Sequence, residues 1–189
     1  MNLYFVVEGE VTESKAYPFW MDQLLPEFSQ IHSFSKAQKG NYYLFMGGGI
    51  PSIYNHVVNA IKDINDYPIY SHLIVCIDGE EIGAERRKEK VLDYIKAAKV
   101  SLNDGCSLEI IVQNPCIETW FLGNRKNFKQ QPQGEKLLEY VRHFNVHDFD
   151  PEEMDKMSSF KTKALFHFAY LREIFKEYNL TYRKNNPSQ

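Results

Sequence analysis

Three carboxylates stand where the chain is set to bring distant acids together. Glu8 closes the apolar run Leu3-Tyr4-Phe5-Val6-Val7, while Asp78 and Glu80 flank Gly79 directly after a second apolar run, His72 to Ile77. Crowded carboxylates repel unless a cation neutralises them, and hard oxygen donors with little histidine or thiolate favour Mg2+ or Mn2+ over zinc. A metal held this way polarises a phosphoryl oxygen, generates a hydroxide nucleophile and stabilises a leaving oxygen, which points to phosphodiester hydrolysis as the reaction class. The plain alternative is that each acid only caps the helix that follows, because anions are favoured at helix N-termini.

The elements that must position these acids alternate in type. Leu3 to Val7 is a continuous run of β-formers, as expected of a strand buried on both faces, and Gly9 lets the chain turn. Thr12-Glu13-Ser14 looks like a helix start, with Ala16, Phe19, Trp20, Gln23 and Leu24 roughly on one face; Pro18 implies a later start or a kink. Asn41 to Met46 is predicted as a strand, and Tyr54, Val57, Val58 and Ile61 as the stripe of a helix opened near Pro51. After the His72–Ile77 strand comes a charged helix over about 84–101, with Val91, Leu92, Ile95 and Ala98 turned inward, then a strand over Ser107–Val112. Asn114-Pro115 turns the chain into a short helix carrying Ile117, Trp120, Phe121 and Leu122. The order implies a parallel, Rossmann-like four-stranded α/β sheet with right-handed crossovers, whose functional groups gather at the carboxyl ends of the strands.

The polar, proline-bearing stretch 124–133 is the one internal boundary. It separates an α/β core over 1–124 from a helical C-terminal extension over 125–189. Asp150-Pro151-Glu152-Glu153 combines a capping acid, a proline at the first helical position and a capping-box glutamate. Ala164, Phe168, Leu171, Phe175 and Tyr178 mark the stripe of the last helix.

Composition narrows the class. With 43% hydrophobic and 14% aromatic residues in 189, there is enough apolar side chain for a sizeable core. A formal charge of −3 gives no whole-chain attraction for polyanions, so nucleic-acid contact needs a local basic face or a bridging metal. Cys76, Cys106 and Cys116 lie far apart and odd in number, as expected of reduced, mostly buried thiols in the cytoplasm. The apolar N-terminus reaches Glu8 too soon for a signal or membrane segment.

Three segments carry a family resemblance. Phe5-Val6-Val7-Glu8-Gly9-Glu10, followed by Thr12-Glu13, resembles the opening motif of Toprim domains, above all the small RloB-like and OLD-associated proteins of bacterial defence systems. Leu73 to Glu80 is similar to their second motif, a strand ending in two acids one residue apart. Gln113-Asn114-Pro115-Cys116-Ile117-Glu118-Thr119-Trp120-Phe121-Leu122 resembles the Asn-Pro-x-x-Glu-x-Trp segment of the RloB-like group. The resemblance implies a Toprim-like fold, Glu8 as an acid/base and metal-proximal group, Asp78 and Glu80 as ligands of Mg2+ or Mn2+, and Glu118 as the acid of the third motif, orienting a ligand or a basic side chain. It further implies a nuclease acting on DNA or RNA in anti-phage defence; an ATPase or restriction-system protein as partner, the occupant an interaction-module reading would bind, and self-association are both left open. One departure stands out: the commoner Toprim pattern is Asp-x-Asp, and here it is Asp78-Gly79-Glu80.

The rival reading is a non-catalytic interaction module; a phosphotransfer enzyme on the same metal is a third. Gly47-Gly48-Gly49 precedes a helix but lacks the Lys-Ser/Thr of a P-loop, so it reads as a turn. His143 and His147, four apart, read as surface residues. Arg86, Arg87, Lys88 and Lys90 read as a solvated helix face. Trp120 reads as core filler beneath the sheet. Lys161, Lys163, Arg183 and Lys184, with Tyr178 and Tyr182, are the residues placed to approach a nucleic-acid backbone if the acidic site is real.

Overall fold

The computed structural model describes residues 1–129 and 131–183, so Lys184 lies outside the described residues. The chain forms two compact units, residues 1–77 with 85–111, and residues 78–84 with the chain from 112 onward. The stretch 124–133 lies inside the second unit.

The strands are β1 (Leu3–Val7), β2 (Ser29–Ile31), β3 (Asn41–Met46), β4 (His72–Asp78) and β5 (Ser107–Gln113); the helices among them are α1 (Glu13–Leu24), α2 (Ser52–Asp66) and α3 (Ala84–Ala97). They build a parallel five-stranded sheet in the order β2-β3-β1-β4-β5, one strand more than the sequence suggests. The added strand is the three-residue β2, Ser-Gln-Ile, too short and polar to show a period. β1 is central, its five residues all buried, and Val7 sits opposite Met46 on one side and Cys76 on the other.

Helix phase departs from the sequence reading at several points. α2 buries Tyr54, Val57 and Ile61 of the expected stripe, leaves Val58 half-buried, and adds Ile53 and Ile64 to the core. α1 runs from Glu13 with Pro18 inside it, and its inward stripe is Glu13, Tyr17 and Met21, not the Ala16–Phe19 face; Phe19 and Leu24 are exposed. α3 buries Val91, leaves Ile95 half-buried and exposes Leu92, and Ala98, just past its end, is exposed. In their place Arg87, expected on the solvated face, is 2% exposed and donates through Nη1 to the Tyr54 hydroxyl at 2.7 Å. A buried guanidinium is tolerated where its donors are taken, and sequence periodicity cannot show that partner.

The second unit carries α4 (Ile117–Leu122), α5 (Glu135–His143) and α6 (Lys163–Lys176). Its core centres on Tyr140, Phe166 and Tyr170, with the rings of Phe166 and Tyr140 5.2 Å apart and nearly perpendicular. α6 turns Phe166, His167, Tyr170, Leu171 and Ile174 inward. Of the expected stripe Leu171 is buried, Ala164, Phe168 and Phe175 are half-buried, and Tyr178, past the end of the helix, is exposed. A helix apolar nearly all round does not announce its buried face. The capping signature at Asp150 is real, its side chain accepting from the Glu152 amide at 3.0 Å, but it opens a single turn, Pro151–Glu153. Among the described residues no helix is long and apolar enough to cross a membrane.

Truncating Phe166 to alanine is expected to lower stability by about 3–5 kcal/mol, whereas Leu92→Ala, at a half-exposed position, stays within about 0.5 kcal/mol of wild type. Urea denaturation followed by circular dichroism checks the pair, and equal losses would contradict the assignment of the core.

Candidate functional site

In the second unit, the acidic loop after β4 is joined by its backbone to the Asn-Pro segment. The Gly79 amide donates to the Gln113 carbonyl and the Glu80 amide to the Pro115 carbonyl, each at 2.8 Å. A Cβ on Gly79 would meet the Asn114 side-chain oxygen at 3.0 Å and a Val112 methyl at 3.3 Å, so close approach alone accounts for glycine between the two acids. Glu80 has φ +49°, the left-handed region, where a non-glycine residue costs about 1–2 kcal/mol. Such strain persists only where the surroundings impose it, and it gathers at functional sites. Asp78 is half-buried and Glu80 exposed. Glu81 has a structural task, its carboxylate accepting from the Lys163 amide at 2.8 Å at the start of α6.

The acid of the third motif is set differently. Glu118 is fully buried on α4 and accepts from the Tyr182 hydroxyl at 3.2 Å. Tyr182 is therefore 3% exposed and not placed to meet a nucleic-acid backbone. Burial, and then the carboxylates of Glu118 and Asp78, push the Cys116 thiol well above its ordinary range, so both acids act on one buried sulfur. Next to it, Thr119 Oγ1 lies 2.9 Å from His167 Nδ1, and His167 Nε2 lies 3.1 Å from the Met154 carbonyl. A carbonyl can only accept, so Nε2 carries the proton and Nδ1 takes the Thr119 hydroxyl hydrogen. Cys116 Sγ lies 3.7 Å from Thr119 Oγ1.

In the first unit, Glu8 follows β1 and is half-buried. Its amide donates to the Cys76 carbonyl at 3.0 Å and its carbonyl accepts from the Gly49 amide at 2.9 Å. The Gly9 amide donates to Glu13 Oε1 at 3.0 Å, which gives buried Glu13 its place in the turn after β1. The glycine run is structural here: the Gly47 amide donates to the Val7 carbonyl at 2.7 Å, and a Cβ on Gly47 would meet Ile53 at 2.9 Å.

Of the four expected site residues, Asp78, Glu80 and Glu118 belong to one unit and Glu8 to the other. Sequence reasoning missed Glu13, Arg87 and His167. Only Glu13 left a signal, four residues after Gly9 in the opening motif. Trp120 is half-exposed, its indole donating to Glu152 Oε1 at 2.9 Å, so it is not the core filler expected. His143 and His147 turn to separate partners, the Asp155 carbonyl and the Asp148 carboxylate, each at 2.9 Å. Lys163 pairs with Asp155 at 3.6 Å, while Lys161 and Arg183 are exposed. Among the described residues no three His, Cys, Asp or Glu side chains form a group able to hold a metal ion. No protein-family model, curated protein or solved structure matches the chain.

Burial lowers His167 to about 4, with Lys163 acting in the same direction and the Met154 carbonyl, Glu118 and Asp155 opposing. The unfolded chain takes up this proton near pH 6.5 and the folded chain only near 4, so stability is full above 6.5 and falls between 6.5 and 4. The difference is on the order of 3 kcal/mol. Chemical denaturation from pH 7 to 4 should show this loss, and His167→Gln should flatten it; an unchanged slope would contradict a neutral buried imidazole.

Proposed function

We propose that the chain is a Toprim-type, Mg2+-dependent nuclease that hydrolyses phosphodiester bonds in DNA or RNA as an effector of bacterial defence. The observation that supports it most is the acidic loop itself. Asp78-Gly79-Glu80 is held in a strained conformation by backbone bonds to the segment resembling Asn-Pro-x-x-Glu-x-Trp, so two motifs distant in sequence meet.

The donor chemistry fits Mg2+ or Mn2+. Asp78 and Glu80 offer hard carboxylate oxygens, while burial keeps the nearby Cys116 thiol protonated and unable to ligate. Two carboxylates fall short of a complete cage, as suits Mg2+, which usually keeps several waters and completes its shell with substrate phosphates. When bound, the metal supplies charge neutralisation at a phosphoryl group. The Tyr182 hydroxyl donates to Glu118 in the interior of the second unit, which keeps that acid away from solvent. The lack of a three-donor group among the described residues favours a second reading, an interaction module binding an ATPase or restriction-system protein.

Labelled single- and double-stranded DNA and RNA, incubated with Mg2+ or Mn2+, separate the two readings. The nuclease reading predicts chelator-sensitive cleavage that Asp78→Asn slows by about 100-fold or more, roughly 3 kcal/mol of barrier. Glu109→Gln, at an exposed position of β5, leaves the rate unchanged. Cleavage indifferent to chelator or to Asp78→Asn would contradict the nuclease reading, and its absence from every substrate would favour the interaction module.

A further inference from the structure

Within the first unit a cleft of about 400 Å³ is lined by Tyr4, Phe45, His56, Asn59, Ala60, Lys62 and Asp63. Volumes of this size suit small organic ligands. One wall comes from the sheet, where Tyr4 of β1 and Phe45 of β3 lie on the same face. The other is a helical stripe, because His56, Asn59, Ala60 and Asp63 recur at the three- and four-residue steps that share one side of α2.

The lining combines aromatic rings with a carboxylate, an amide and an ammonium. The Phe45 and His56 rings, 4.8 Å apart and tilted by 46°, form a half-exposed aromatic corner. Asp63 accepts from the Tyr4 hydroxyl through Oδ2 at 3.1 Å. A carboxylate has about four acceptor positions, so that single bond leaves capacity for a ligand's donors. Desolvation raises the Asp63 pKa, as expected of a carboxylate drawn part-way out of water. Asn59 and Lys62 are exposed at the rim, one offering an amide and the other an ammonium.

We propose that this cleft binds a guanine mononucleotide. Each lining group then has a task. The ring corner takes the face of the base, as aromatic side chains do for unstacked bases. Asp63 accepts from the base edge, and guanine alone among the common bases presents two adjacent donors there, N1–H and the N2 amino group. Adenine and cytosine offer an amino group beside an acceptor, and uracil a single N–H between two acceptors. Lys62 pairs with the phosphate as a point charge. The site involves none of Glu8, Asp78, Glu80 or Glu118, so it stands or falls apart from the nuclease reading.

Isothermal titration of the full chain, without divalent metal, with the 5′-monophosphates of guanosine, adenosine, cytidine and uridine tests it. The expected result is saturable binding of the guanosine nucleotide at least about tenfold tighter than the others, the discrimination a bidentate base contact provides. Asp63→Asn, which places a donor against the base edge, should abolish that preference. Because Asp63→Asn also alters the contact with Tyr4, Lys62→Ala serves as the second variant: at an exposed position, it should keep the melting temperature, weaken the nucleotide several-fold and leave guanosine itself unchanged. Equal affinity for all four nucleotides, no saturable binding, or insensitivity to Lys62→Ala would overturn the proposal.

Discussion

Two backbone hydrogen bonds, from Gly79 to the Gln113 carbonyl and from Glu80 to the Pro115 carbonyl, set the terms for the candidate site. They hold the acids after β4 against the turn that launches α4, and a side chain at position 79 would press on Asn114 and Val112. Glu80, the donor of the second bond, has a left-handed conformation. The same turn begins the helix on which Glu118 and Thr119 become buried, and from there the polar chain to His167 and Met154 follows.

This arrangement divides the acids by task. Glu81 caps α6 and Glu13 caps the turn at Gly9, so two carboxylates of the motif regions serve the fold. Glu118 is wholly enclosed and bonded to a tyrosine, a place for orientation and not for direct attack on a bulky polymer. Asp78 and Glu80 keep access to solvent and remain the groups able to meet a cation. The Asp-Gly-Glu spelling also gains a physical account: the glycine answers to Asn114 and Val112, and the longer glutamate arm extends from a backbone turned left-handed.

Much of the sheet was legible because buried parallel strands are apolar runs, and β1 and β3 begin and end where their sequences suggest. β2 was not, since three residues of Ser-Gln-Ile carry no period. Helix existence was readable and helix phase was not: α1 buries a glutamate against the nearby Gly9 amide, while α3 buries an arginine and α6 a histidine against partners distant in sequence. The acids of the site were visible as residue types at strand ends. Their fixing to the Asn-Pro segment was invisible, because it runs through main-chain groups that every residue possesses.

The central claim is that the loop of Asp78 and Glu80 takes up a divalent cation together with a phosphate-bearing substrate. The most direct measurement is calorimetric titration of Mn2+ into the protein saturated with a non-cleavable phosphorothioate oligonucleotide, for wild type and Asp78→Asn. The account predicts saturable binding by wild type that Asp78→Asn loses while keeping its circular dichroism spectrum. Identical isotherms for the two folded proteins, or no binding by either, would contradict it.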